Sequence, residues 1–194
     1  MKTLTATYTS PLGPIVIESD GEALTGLLFG KGKLALRFGD SGIWKALHLM
    51  PTHAPSSLPI FDKVTRWLDD YFAGKQTENA VMLKKDTLNK KNAARIIVQP
   101  KGTAFQQRVW QALLTIPYGK TVSYGELARM VGCKSAQAVG QAVGANPIAL
   151  IIPCHRVIAA HSKIGGYEYG TEIKKKLLEL EGNPTKTSVM LTRW

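Results

Sequence analysis

The chain has 194 residues, 44% of them hydrophobic and 20% charged, which excludes wholesale disorder and leaves room for one domain or two small ones. Its apolar runs are too short to span a membrane, residues 1–6 lack the core of a secretory signal, and the two cysteines, Cys133 and Cys154, cannot build a disulfide framework or a cysteine-rich zinc site, so a reducing, cytoplasmic setting is expected. The net charge of +11 falls entirely on residues 84–194, which hold 17 basic and 6 acidic side chains, whereas residues 1–83 hold 8 of each. A neutral half joined to a basic half points to a polyanion, nucleic acid above all, as partner of the second half; a merely solvated basic surface is the alternative.

The first thirty residues read as three strands, Thr5–Tyr8, Ile15–Ile17 and Leu24–Phe29, separated by turns at Ser10–Pro14 and Ser19–Glu22. Residues 39–57 read as loop with one short helix, and His48 and His53 as surface or loop histidines. Phe61, Val64, Leu68, Tyr71 and Phe72 share a helical face that Gly74 ends. Residues 1–83 are thus expected to form a small α/β domain without a catalytic constellation. Residues 84–101, rich in lysine, read as a basic linker, loose around Thr87 to Asn92, with Ile96–Val98 a candidate strand at its end.

From residue 102 to 194 a mostly helical domain is expected. Thr103 with Gln106 makes a capping box, and Phe105, Val109 and Leu113 share the face of the helix that follows. Ser123 with Glu126 makes a second capping box, Gly132 stops that helix, and Ser135 caps a third running to about Ala145. Two short helices joined by a glycine-containing turn are the pattern of a helix-turn-helix. The third helix carries Ala136, Ala138, Val139, Gly140, Ala142, Gly144 and Ala145; its small residues suit close helix packing or entry into a narrow minor groove.

The segment from Ile148 to Ala159 carries the chemistry. A strand-like apolar run, Ile148 to Ile152, is broken after Pro153 by Cys154, His155 and Arg156. Cys154 reads either as a small buried hydrophobe or as a thiolate nucleophile whose proton the adjacent His155 draws off. Glu181 sits at the negative end of a helix beginning near Thr171, an unfavourable place for a carboxylate. A partner elsewhere, such as a histidine oriented as a base, would account for it.

The run Pro153-Cys154-His155-Arg156-Val157-Ile158 closely resembles the active-site motif of the O6-alkylguanine-DNA alkyltransferase family. The resemblance continues through Gly102–Gln106, Ile116–Gly119, Ser123-Tyr124, Ala138–Gly140, Asn146-Pro147, Gly165–Tyr167 and Lys174–Glu181, covering residues 102–182 almost without gaps. It implies a ribonuclease-H-like α/β domain followed by a helical domain with a winged-helix-like helix-turn-helix. The implied activity is repair by direct reversal: an O6-alkylated guanine is flipped from the duplex, and its alkyl group passes irreversibly to the protein's own cysteine, once per molecule. On this likeness Cys154 is the acceptor, His155 the base acting through a water with Glu181 behind it, and Asn146 the brace of the turn holding the thiol. Tyr124 would crowd the phosphate and hydrogen-bond the guanine ring. The carbonyls of Cys154 and Val157 would read the exocyclic amine. Thr103, Gln106 and Ser123 fall near the DNA backbone; Ala136, Gln137, Ala138 and Gly140 belong to the minor-groove helix, and Glu168 and Tyr169 to the pocket loop. The likeness implies no cofactor, no metal, no membrane, and a monomer acting on double-stranded DNA.

Three positions depart from the family pattern. Gln137 stands where an arginine usually fills the gap left by the flipped base. Glu168 and Tyr169 replace a small residue and a glycine, and the segment 84–99 is longer and more basic than usual. A lesion-binding protein without turnover and a cysteine hydrolase are the competing readings; the intact Cys154 opposes the first and the basic second half the other.

Overall fold

A computed structural model of the chain describes residues 3–30, 58–77, 81–84 and 95–183. It divides into two compact units, residues 1–101 and 102–194. His48, His53, the loop 39–57 and the loose stretch Thr87–Asn92 lie outside the described residues.

In the first unit, β1 (Leu4–Ser10) and β2 (Gly13–Ser19) form an antiparallel hairpin with Leu4 opposite Ser19. Gly13 has φ +110°, a value that a side chain would strain. β3 (Leu24–Phe29) extends the hairpin antiparallel to β2. Ile15, Ile17, Leu24 and Leu27 are fully buried on one face of this sheet, and Val16 with its cross-strand partner Leu28 is buried on the other, so both faces contribute to the core. Helix α1 (Pro59–Phe72) starts with proline in the first turn, where no N–H bond is lost, and buries Ile60, Phe61, Val64, Trp67, Leu68 and Tyr71; Gly74, at φ +76°, follows its end. β4 (Val81–Leu83) and β5 (Ile96–Val98) complete a sheet of order β1-β2-β3-β5-β4, with β5 parallel to both neighbours. Ile96–Val98, expected at the end of a linker, is therefore a strand inside the first unit's sheet; Ile96 and Val98 are buried, and burial decides against a solvated linker there.

The second unit opens with α2 (Ala104–Leu113), whose capping box is complete: the Gln106 N–H donates to Thr103 Oγ1 at 3.2 Å and the Thr103 N–H to Gln106 Oε1 at 2.8 Å. Its inner face buries Val109, Trp110 and Leu113. β6 (Val122–Ser123) leads into α3 (Tyr124–Met130), capped by Ser123 and Glu126 as expected. Gly132 turns the chain at φ +66°, and Ser135 caps α4 (Ala136–Gly144) by accepting from the Ala138 N–H at 3.1 Å. Helices α3 and α4 are the expected helix-turn-helix. Trp110 Nε1 donates to the Ala142 carbonyl at 2.8 Å and ties α2 to α4. β7 (Val157–Ile158) pairs parallel to β6, and α5 (Thr171–Leu180) closes the described unit.

One expectation fails here. Ile148 to Ile152 is not a strand but a succession of tight turns, with Leu150 at φ +64° and the Ile151 N–H donating to Ala149 O at 2.7 Å. A strand could not bring Cys154 back beneath α4; a strained turn can.

Candidate active site

The turn that presents Cys154 is built from Asn146. The residue is buried, its Nδ2 donates to the carbonyls of Ile152 at 2.8 Å and Ile148 at 3.3 Å, and its Oδ1 accepts from the Ile148 N–H at 3.0 Å. One amide side chain thus satisfies three backbone groups of a buried loop. Pro153, at φ −81° and ψ 65°, makes an inverse γ-turn in which the Cys154 N–H reaches Ile152 O at 2.8 Å. Cys154, His155 and Arg156 then form a single buried 3₁₀ turn.

His155 is fully buried, and its Nε2 lies 2.8 Å from Glu181 Oε1. Burial pushes the Glu181 carboxyl up, but the hydrogen bonds and charges of His155 and Arg156 outweigh it and hold it down to about 2. An ionised carboxylate only accepts, so Nε2 carries the hydrogen and Nδ1 is the basic nitrogen. Burial lowers the His155 pKa from its ordinary value, with Glu181 pulling it back and Arg156 and Lys174 adding to the fall. The imidazole is accordingly neutral at pH 7, as a base must be.

Arg156 holds that carboxylate in a fork. Its Nε donates to Glu181 Oε2 at 2.8 Å and its Nη2 to Oε1 at 3.0 Å, while Nη1 donates to Ile116 O at 2.7 Å. The Gly119 N–H adds a bond to Oε2 at 3.1 Å, and a β-carbon at Gly119 would lie 2.7 Å from Glu181 O, too close to accept a side chain. The placement of Glu181 at the end of α5, unfavourable for the helix, is thus offset by four donors around one carboxylate.

A cavity of about 260 Å³ opens beside the sulfur. Cys154 and Asn146 form its base, Tyr124 one wall, Gly140, Val143 and Gly144 of α4 another, and Gly166 to Tyr169 a third. The small residues of α4 therefore line a pocket: a β-carbon on Gly140 would already touch the Tyr124 ring at 3.6 Å. Tyr169 is buried and meets Tyr167 edge-on at 5.4 Å between ring centres. Burial pushes the Cys154 thiol up; hydrogen bonds from Asn146 and Tyr167 and the charge of Lys174 pull it down. The Tyr124 hydroxyl is raised by burial and by Cys154.

Of the residues expected to carry the chemistry, Cys154, Asn146 and Tyr124 line the cavity together with Gly140, Glu168 and Tyr169, and His155, next in the chain to Cys154, is bonded to Glu181 outside that lining. Thr103, Gln106 and Ser123 do not line it; their side chains are engaged in helix caps. Ala136 and Gln137 are exposed at the start of α4, Ala138 half-buried beside them, and the Val157 carbonyl accepts a bond from Lys174. Three residues that sequence reasoning passed over belong to the site: Arg156, Tyr167 and Lys174. A signal existed for two of them. Arg156 interrupts an apolar run, and Lys174 shares the apolar helical face of Leu177 and Leu178. Among the described residues, no three His, Cys, Asp or Glu come together as a metal site.

Two family models match the chain: "6-O-methylguanine DNA methyltransferase, ribonuclease-like domain" over residues 3–84 and "6-O-methylguanine DNA methyltransferase, DNA binding domain" over residues 104–183. Methylated-DNA--protein-cysteine methyltransferases of Methanosarcina acetivorans and Mycobacterium leprae are similar, at 40% identity over 92% of this chain and 97% of theirs, and at 41% over 94% of each. The crystal structure of Mycobacterium tuberculosis OGT in complex with DNA is similar at a TM-score of 0.70 and 38% identity, covering 96% of this chain and 98% of that one.

Proposed function

The chain belongs to the 6-O-methylguanine DNA methyltransferase family, and from that premise we propose that Cys154 is the sulfur on which it collects the alkyl group. The protein repairs DNA by moving an alkyl group from guanine to one of its own cysteines. The observation that carries the assignment is the position of Cys154 in the lining of the cavity, next in the chain to His155, which Glu181 and Arg156 hold in a buried array.

The reaction follows from these groups. The thiol proton passes through a bound water to Nδ1 of His155, whose tautomer the Glu181 carboxylate fixes. The thiolate then attacks the alkyl carbon. An S–C bond forms, the C–O6 bond breaks, and its electron pair leaves with the guanine. The Tyr124 hydroxyl, at the cavity wall, hydrogen-bonds that ring and makes it a better leaving group. A thioether has no proton to return and is a poor leaving group, so each molecule acts once. Asn146 holds the turn, and the carbonyls of Cys154 and Val157 read the exocyclic amine.

The target base reaches this cavity only by leaving the duplex, at a cost of a few kcal/mol, roughly. Helix α4, smooth and small at the cavity side, is the element that enters the minor groove, with Ala136, Gln137 and Ala138 at its leading end. Thr103, Gln106 and Ser123, at two helix N-termini, lie against the DNA backbone. Glu168 and Tyr169 set the depth of the pocket. The protein works as a monomer in the cytoplasm, on chromosomal DNA, and needs no cofactor, because nucleophile, base and leaving-group donor all belong to the chain.

Gln137 favours a second reading, a lesion-binding protein that does not turn over. Incubation with an O6-methylguanine oligonucleotide followed by intact-mass analysis separates the two. A gain of one methyl group, with loss of one proton, supports transfer. Binding without a change of mass supports the sensor.

A further inference from the structure

Lys174 is fully buried on α5, and its ammonium reaches two backbone carbonyls: Val157 O at 2.6 Å and Gly166 O at 3.0 Å. No carboxylate is bonded to it among the described residues. Glu181, the one buried carboxylate of the cluster, is taken by Arg156 and His155. A buried ammonium without an anion is costly, and proteins normally pair it or neutralise it. The charges of the cluster show what is missing. Arg156 and Lys174 are positive, Glu181 is negative and His155 is neutral, so the buried site has one uncompensated positive charge while Cys154 is a thiol.

We propose that Lys174 is the buried counter-ion of the Cys154 thiolate and a positioning residue for the transfer, tying the state of the sulfur to the two pocket segments that it clamps. This rests on Cys154 being the alkyl acceptor. Deprotonation of the thiol brings the cluster to neutrality, and the ammonium favours the ion that attacks. Burial lowers the lysine itself to about 8, with Cys154 pulling it back up, so the ammonium holds its proton most firmly when the sulfur is an anion. The other groups around the pair are Tyr124, Tyr167, Glu168 and Tyr169, which line the cavity, and the buried cluster of His155, Arg156 and Glu181. Glu168 is half-exposed at the cavity, and the last three already balance one another.

Transfer then has a structural consequence. The sulfur's negative charge leaves with the guanine, the sulfur becomes a neutral thioether, and Lys174 loses its counter-charge. Its proton is released more easily, and the bonds to Val157 O and Gly166 O weaken with it, since a neutral amine donates less strongly. The pocket segments that gripped the base are those that loosen once the methyl group has arrived.

The test uses the full chain carrying Cys133→Ser, so that Cys154 is the sole thiol, and follows its reaction with iodoacetamide against pH alongside methyl transfer from an O6-methylguanine oligonucleotide. Lys174→Met is expected to move the midpoint of the iodoacetamide profile upward by about one pH unit, hence to slow the reaction about tenfold below it. Lys174→Arg is expected to restore most of the shift. An unchanged midpoint in a Lys174→Met protein that still binds the oligonucleotide would overturn the proposal and leave Lys174 a structural tie. Should Lys174→Met not fold, NMR titration of isotope-labelled lysine in the unsubstituted protein decides: the Lys174 pKa falls on methylation if the thiolate was its partner, and stays put if not. A lysine-dependent iodoacetamide profile without methyl uptake from DNA would instead contradict the acceptor assignment and leave the counter-ion standing.

Discussion

Tyr169 fills a corner of the pocket where a glycine would leave space, and Tyr167 packs against it edge-on. A methyl group needs no more room than the present cavity, but a benzyl group does. Methylated DNA is therefore expected to be repaired at an ordinary rate, free O6-benzylguanine to inactivate the protein slowly, and Tyr169→Gly to accelerate the benzyl reaction alone. Rapid inactivation unaffected by that substitution would show that the tyrosine does not set the limit. The buried array behind the pocket gives a second prediction. Glu181 has its carboxyl held at about 2, below its ordinary 4.5, so its contribution to stability is present above pH 4.5 and is lost as the pH falls toward 2. Arg156→Met leaves a buried carboxylate with half its donors and costs about 3–5 kcal/mol; urea unfolding at pH 7 measures it. At this scale the sequence was readable wherever a residue broke a pattern. Cys154, His155 and Glu181 stood out because apolar periodicity and the helix dipole argue against them. Tyr167 did not, because a tyrosine after two glycines breaks no rule, and its place in the pocket lining exists only once the loop has folded over the pocket.

At the scale of elements, α4 and the turn after β7 invite tests. Gln137 is exposed near the start of α4. An arginine there brings positive charge into the minor groove, which glutamine cannot, although both are long enough to enter the gap of a flipped base. Gln137→Arg is expected to speed repair of duplex DNA and to leave reaction with a free base unchanged; equal rate ratios on the two substrates would remove Gln137 from the flipping step. After β7, His161 and Ser162 occupy the left-handed region at φ 59° and 58°, in a turn closed by the Ala159 N–H to Lys163 O at 2.8 Å. Neither residue is suited to it. Ser162→Gly is expected to stabilise the protein by about 1 kcal/mol, raising the melting temperature by roughly 2–4 °C; a drop would mean the serine side chain contributes more than the strain costs. Capping boxes and glycine stops made α2, α3 and α4 legible in the sequence nearly to the residue. The turns at Ile148–Ile152 were not, since a run of isoleucine and leucine has the composition of a strand, and only the buried Asn146 bonds reveal why it bends.

For the whole molecule, the uneven charge pointed to a polyanion before any motif did, because net charge needs no register to be read. Ile96–Val98 was harder to place: three apolar residues behind a lysine-rich stretch give no clue that they insert between β3 and β4, a pairing set by the sheet. On the second unit Arg108, Arg129 and Lys134 are exposed, and binding to undamaged duplex is expected to weaken steeply with salt, with a slope of about −0.9 per phosphate contacted. Repair of a free base should show no such dependence. The central claim is that one sulfur, Cys154, receives the alkyl group once. Peptide mapping of protein reacted to completion with excess O6-methylguanine duplex tests it most directly. One methyl per molecule is expected, on the peptide holding Cys154, with none taken up by Cys154→Ser and full uptake by Cys133→Ser. A methyl on Cys133, or uptake that continues past one per molecule, would contradict it.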